Sequence, residues 1–552
     1  MLTSWLPPAF FLASGAPSTL AKIQDALFNN PFAGIHRMEP FDWVILGPYF
    51  AVLIVLSCYG LHRYEMIRGY WKHRKRLPDQ PPQMFAELPR VTVQLPIYNE
   101  RYVVERLLEE TSKMDYPHHL LQVQVLDDST DDTHPFTERL VNEYRASGFP
   151  IEYIHRSNRQ GYKAGALENG LKTATGEIVA IFDADFLPPA DFLQRTVHYF
   201  ADPKIGMVQT RWAYLNRHYN VLTEVQAMLL DGHFVLEHVA RSGGGLFFNF
   251  NGTAGVLRRS MIEDAGGWQH DTLTEDSDLS YRAQLKGWKF VYCPSIECPS
   301  ELPVETYGFQ VQQSRWAKGL TQVAIKLLRT ILRSDLPWRV KLEAFFHLTP
   351  NISYPLMILV SALMLPAMIV RFYMGWFQML VIDLPLIAAS FWSISAFYVI
   401  AHRALFPKTW KRAFLFLPAL MAAGVALTII NSRAVIEALI GYQTGFARTP
   451  KYAIGGEQKP AFGGAERARI ENVQYRRRSG WLPYAELAVG SYFLATILYA
   501  IESFNYLAIP FLLLFVGGYF WAGCTTLWEE YQGKLQWQRR RELAEVAEQV
   551  EA

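Results

Sequence analysis

Three apolar runs in this chain end in clusters of side chains able to do chemistry. Val91–Leu95 runs into Pro96-Ile97-Tyr98-Asn99-Glu100, Val123–Leu126 into Asp127-Asp128-Ser129-Thr130, and Ile178–Phe182 into Asp183-Ala184-Asp185. A lone Asp-Asp-Ser-Thr is commonly a turn and helix cap. Carboxylates two apart, as in Asp183 and Asp185, can face one oxygen-seeking cation. Mg²⁺ typically takes one or two carboxylates plus substrate phosphates, and a diphosphate leaving group needs that neutralisation. Thr274-Glu275-Asp276 precedes the helical Leu279–Leu285. Locally it reads as a cap with an acidic first turn. Chemically it reads as a general base on the acceptor side, taking the proton of an attacking hydroxyl. Gln312-Gln313-Ser314-Arg315-Trp316 lies on a helix just before apolar sequence resumes. Arg and Trp there suit interface anchoring. They equally suit a platform on which Trp316 stacks a sugar ring while Arg315 and Gln312 bind diphosphate or acceptor. Asn158–Gly165, with two glycines and Lys163, reads as a polar linker or as a backbone-and-lysine contact to a nucleotide.

Those clusters need elements to hold them. The three runs are β-rich, and Arg101–Met114 between the first two has helical spacing. Strands alternating with helices predict a parallel α/β sheet, in which ligands sit at the carboxyl ends of strands. Hydrophobic residues make up 50% and aromatics 14% of the 552 residues, which suits a polar domain spliced into membrane helices. The net charge of +2 gives no field for nucleic acid. Cys58, Cys293, Cys298 and Cys524 are scattered, so neither a zinc site nor a disulfide framework is expected.

Trp43–Leu61 is uncharged and, at ~1.5 Å per residue, nearly spans a ~30 Å hydrocarbon core. Arg63, Arg68, Lys72, Arg74, Lys75 and Arg76 follow it, so the positive-inside bias places the N-terminus outside. The Trp5–Ala16 run is too short to span and lacks a basic flank, so it is not read as a signal peptide. Ala344–Val370 with Trp376–Ala401, and Leu482–Ile501 with Tyr506–Leu527, read as two spanning pairs with basic residues inside. Ala413–Ser432 is long enough to span, but spanning would put Arg476–Arg478 outside; it is expected to lie along or re-enter the inner face.

Taken in chain order, Asp127/Asp128, Asp183/Asp185, Asp276 and Gln312/Arg315/Trp316 resemble the Asp, Asp-x-Asp, Thr-Glu-Asp, Gln-x-x-Arg-Trp series of the processive inverting GT-A glycosyltransferases, the cellulose synthase superfamily. The resemblance runs from Leu88 to Lys326. It is nearest to the cellulose-synthase-like A and C (glucomannan and xyloglucan-backbone) branch through Asn158-Arg159 with Gly161–Leu167, Phe182–Phe186, Phe250–Val256 and Leu285–Phe290.

This resemblance implies a Rossmann-like GT-A cytosolic domain between membrane helices. Its donor would be UDP-glucose or GDP-mannose and its cofactor Mg²⁺ or Mn²⁺. Asp127 or Asp128 would hold the nucleoside, with Tyr98 and Glu100 beside it and Lys163 on the nucleotide. Asp183 and Asp185 would hold the diphosphate and metal, with Asp276 as base beside Thr274 and Glu275. Phe250, Asn251 and Gly252 would line the acceptor side, with Trp316 the platform at a channel mouth. Phe446–Lys451 resembles the family's gating loop, whose Phe446, Thr449 and Lys451 would cover the nucleotide. The chain departs from bacterial cellulose synthases in having fewer N-terminal membrane helices. The tail after Glu530 is expected to be only a short charged helix, with no cyclic-di-GMP-binding PilZ-like domain in it.

The expected layout begins with residues 1–40 outside, 41–62 spanning, 63–87 a basic linker and 88–330 catalytic. Residues 331–343 are expected to be interfacial, 344–402 a spanning pair and 413–442 interfacial or re-entrant. Residues 443–480 form the gating and basic loop, 481–528 the second pair and 529–552 a cytosolic tail. The expected function is a processive β-hexan synthase in the plasma (inner) membrane that translocates its product. Its expected partners are a nucleotide sugar, a glycan acceptor and the bilayer, but not nucleic acid; accessory subunits stay open. A non-processive lipid glycosyltransferase and a non-catalytic sugar-nucleotide-binding protein are the alternatives.

Overall fold

Seven strands join in one mixed sheet: β1 (Val91–Ile97), β2 (Leu121–Asp127), β3 (Ile151–His155), β4 (Ile178–Ile181), β5 (Ile205–Tyr214), β6 (Gly255–Arg258) and β7 (Lys289–Ser300). This is a computed structural model, and it describes residues 39–77, 80–372, 382, 384–445, 449, 451–454, 480–503 and 505–551. The spatial order is β3-β2-β1-β4-β6-β5-β7. The β3-β2-β1-β4 half is parallel, as the alternating strand–helix pattern predicts. Every residue of β1 is buried, which is how a strand covered by helices on both faces reads.

Register decides which clusters meet. Ile97 pairs with Asp127, so Tyr98 and Asp128 leave the sheet side by side. Gln94 pairs with Ile181, which brings Asp183 and Asp185 to the same edge. Strand β6 runs antiparallel to β4, with Gly255 opposite Ile181. The chain entering β6 therefore delivers Asn251 and Gly252 to the edge where β4 delivers its carboxylates.

Among the described residues four helices are long and apolar enough to cross a membrane: Pro40–His73, Pro350–Arg371, Leu482–Glu502 and Ile509–Leu535. Trp410–Ala426 and Thr428–Leu439 form a further pair bent by 40°, a broken span or a re-entrant loop. The chain is thus a multi-pass membrane protein with its sheet domain between helices. The first helix runs on through Arg63 and Arg68 without a break. Ala344 belongs not to the following span but to a separate helix, Trp338–Leu348. Pro350, which has no N–H to continue that helix, starts the next segment. Of the Trp376–Ala401 run, residues 376–381 and 383 lie outside the described residues, and helix resumes at Leu384. Residues 1–38, Phe446 and the Arg476–Arg478 loop also lie outside them.

Candidate active site

The carboxyl edge of the sheet opens into a cavity. Most of the residues singled out in the sequence line it: Tyr98, Glu100, Asp128, Lys163, Asp183, Asp185, Asn251, Gly252, Thr274, Glu275, Asp276, Gln312, Arg315, Trp316, Thr449 and Lys451. Two do not. Asp127 is fully buried behind the wall, where it accepts the Ser129 amide at 2.8 Å and the Tyr153 hydroxyl. Phe250 is 1% exposed and packs into the core, so only its neighbours Asn251 and Gly252 reach the cavity. Ser129 and Thr130 serve the turn: Ser129 accepts the Asn99 amide and the Thr130 amide donates to Asn99, each at 2.8 Å.

At the β2 end of the cavity, Asp128 is held by a two-pronged pair with Arg156, whose Nε donates at 2.8 Å. The Arg159 guanidinium lies 3.2 Å from the centre of the Tyr98 ring, a cation–π contact. Lys163 is not in a loop. Helix begins at Tyr162, right after Gly161 with its φ of +74°, and Lys163 stands in its first turn. From there its ammonium pairs with Asp183 and donates to the Gly252 carbonyl at 3.0 Å. Burial alone would lower the Lys163 pKa, but the carboxylates of Asp183, Glu275 and Asp276 outweigh it and hold the pKa above its ordinary value.

Asp276 stands in the first turn of the Glu275–Leu285 helix, its Oδ1 accepting the Ser277 amide at 2.7 Å. The other oxygen faces Gly252: a Cβ there would meet Oδ2 at 3.1 Å, on a backbone with φ of +82° that already favours glycine. Loss of hydration, then the negative charge of Glu275, pushes the Asp276 carboxyl up to about 7. Glu275 is raised too, by burial, although Lys163 and Arg315 oppose it. A carboxylate titrating near neutrality is suited to take a proton and release it again. Thr274 occupies the N-cap position, but its side chain makes no cap bond. Its backbone instead presses on the Thr306–Arg333 helix at Gly319, where a Cβ would meet the Thr274 amide nitrogen at 2.8 Å. That close approach brings Gln312, Arg315 and Trp316, on the same helix, over the cavity. Burial pulls the Arg315 pKa below its ordinary value despite Glu275, Asp183, Asp276 and Glu100 nearby.

Asn251 is fixed from behind. Its amide group meets His233 Nε2 at 2.9 Å and its Oδ1 meets His238 Nε2 at 2.6 Å. His233 contacts Glu237 at 3.1 Å; Arg241 bridges Glu237 at 2.9 Å and Glu343 at 2.8 Å; and Glu343 meets His62 of the first membrane helix at 2.7 Å. The wall of the cavity is thereby tied to the membrane part. Sequence reasoning missed this chain because its members are scattered over elements with no shared spacing. It also missed Trp212 and Glu301, both on the cavity wall. The one available signal for Glu301 was its place right after β7, another strand end.

The family described as glycosyltransferase like family 2 matches residues 89–319. A glucomannan 4-beta-mannosyltransferase of Arabidopsis thaliana is 32% identical over 456 residues, 79% of this chain and 78% of that protein. A probable glucomannan 4-beta-mannosyltransferase of Oryza sativa subsp. japonica is 42% identical over 279 residues, 48% of each chain. In matches of the latter kind the chain spans about half the length of the curated relatives. A mannosyltransferase from Pyrobaculum calidifontis, solved in complex with GDP-Man and Mn²⁺, is 25% identical with a TM-score of 0.49, covering 71% of this chain and 99% of that one.

Proposed function

The chain belongs to the glycosyltransferase-2-like family, and from that premise we propose that it transfers hexosyl units from a nucleotide sugar to the end of a β-linked glycan, with inversion at the sugar carbon. The observation that carries this reading is Asp276. It is a carboxylate lifted to about 7 by burial and by Glu275, standing opposite the Asp183/Asp185 pair in one cavity. An inverting transfer needs that division: a base on the acceptor side and charge neutralisation on the donor side.

Asp183 and Asp185 fit a divalent cation, Mg²⁺ or Mn²⁺. They offer hard oxygen donors, and each carboxylate already holds an ammonium group, of Lys163 and Lys451 respectively. The bound cation would neutralise the diphosphate leaving group. Asp128 and the Tyr98–Arg159 pair form the nucleoside end of the cavity, and Lys163 the diphosphate side. Trp316 offers a flat apolar face to a pyranose ring, while Arg315 adds positive charge over Asp183 and Glu275. Asp276 takes the proton of the attacking hydroxyl as the bond from sugar to diphosphate breaks.

The named activity of the relatives makes a mannosyl unit in 1,4-linkage the first donor to test, and a glucosyl unit the second. The membrane helices and the position of Trp316 support growth of a polymer led away along the helices, with the catalytic domain on the cytosolic side. Purified protein supplied with labelled GDP-mannose or UDP-glucose should yield β-linked oligosaccharides. A product of one sugar on a lipid would overturn the polymer reading, and no product from either donor would overturn transfer itself.

A further inference from the structure

The stretch Lys451–Ile454 is far from the sheet in sequence, yet it is seated on the cavity rim, with both of its bonded backbone amides held by one residue. Glu301, 3% exposed at the end of β7, accepts the Tyr452 amide on Oε1 at 2.8 Å and the Ile454 amide on Oε2 at 3.1 Å. Both carboxylate oxygens are thus used to hold a strap of backbone. Arg106 approaches the same carboxylate at 3.7 Å. The Tyr452 hydroxyl donates to Glu305 at 3.0 Å, and Tyr452 and Ile454 pack with Val304 and Tyr102. This seat fixes the residue at its start. Lys451, 8% exposed, donates to Asp185 Oδ2 at 2.6 Å and to the Glu301 carbonyl at 3.3 Å.

We propose that Glu301 and Lys451 form a latch that reserves the cation seat: Glu301 clamps the strap, and the Lys451 ammonium sits on Asp185 where a divalent cation would otherwise bind. The inference rests on the reading of Asp183 and Asp185 as the cation site. A buried carboxylate needs a counter-charge, and one oxygen cannot serve an ammonium and a metal ion at full strength together. Cation binding without donor therefore competes with Lys451 for the Asp185 carboxylate. When a nucleotide diphosphate arrives, it supplies the negative charge that takes Lys451 over and frees Asp185 for the cation. The device disfavours a cation held without donor, and Glu301 acts only by positioning, since it touches the strap and not the reacting atoms.

The test is donor-free Mn²⁺ titration of the full chain in detergent, with free Mn²⁺ counted by electron paramagnetic resonance. Lys451→Met should bind Mn²⁺ at least about tenfold more tightly than the unaltered protein, because the buried Asp185 loses its ammonium partner. Glu301→Gln should tighten binding in the same direction by a smaller factor. Hydrogen exchange at the Tyr452 and Ile454 amides separates the two parts: protection should fall in Glu301→Gln and persist in Lys451→Met. Mn²⁺ affinity unchanged or weakened in Lys451→Met overturns the proposal, as does rapid exchange of both amides in the unaltered protein. Asp185→Asn should abolish the tight site; Mn²⁺ binding that survives it overturns the latch together with the cation assignment. Tightening in Lys451→Met in a preparation that transfers no sugar supports the latch while refuting the transfer reading.

Discussion

Replacing Glu275 with Gln removes a charge without changing shape, and the site's electrostatics fix the direction of the result. The Asp276 carboxyl stands at about 7 against an ordinary 3.8; burial is the larger cause and Glu275 the next. Lys163 and Arg315 remain, and both favour the ionised base. The inflection should fall below the value of about 7 that it has beside Glu275. A base acts only when ionised, so transfer rises with pH through the inflection and then levels. At pH 6, below the inflection, the ionised fraction should rise by about a few-fold, whereas at pH 8, above it, the fraction barely changes. The assay is initial transfer rate against pH, read as the ratio of the pH 6 rate to the pH 8 rate within each protein. Any pH-independent loss from altered packing cancels in that ratio. An inflection that stays put or moves upward would refute the claim that Glu275 helps hold the base near neutrality.

Asp276→Asn should lower transfer by about 10²–10⁴ while leaving donor binding by calorimetry intact. Trp316→Ala should weaken use of short acceptor oligosaccharides, seen as a raised KM, and Trp316→Phe should restore most of it because the stacking face returns. Arg241→Met leaves the buried Glu343 and the half-buried Glu237 without their shared guanidinium. It should destabilise the protein by about 3–5 kcal/mol, visible as a lowered melting midpoint in detergent.

The half of the fold that sequence foretold is the half where strand and motif coincide. β1, β2 and β4 are apolar runs ending in carboxylates, and period and chemistry pointed to the same edge. The other strands hide for identifiable reasons. β7 contains Pro294 and Pro299, which read as breaks; a register irregularity between Thr210 and Arg211 takes up Pro294, while Pro299 pairs in register with Ala213. β6 has only four residues. Within the site, residue types at strand ends were legible, but which of two adjacent aspartates faces the cavity was not. That choice follows from the pleat, which turns Asp127 toward Tyr153 and lets Asp128 out to Arg156. Phe250 was misplaced for the same reason: its motif neighbours reach the cavity while its ring fills the core against Gly255. The His62–Asn251 chain and the Glu301 clamp depend on contacts between remote segments, which no local pattern encodes.

The central claim is that one cavity holds a donor-side carboxylate pair and an acceptor-side base that together add hexose with inversion. The most direct measurement is linkage and anomeric analysis of the product made by purified protein from labelled GDP-mannose and, separately, UDP-glucose, beside the Asp276→Asn variant. The account predicts β-linked hexose from at least one donor and at least about a hundredfold less from the variant. An α-linked product, or undiminished transfer by Asp276→Asn, would contradict it.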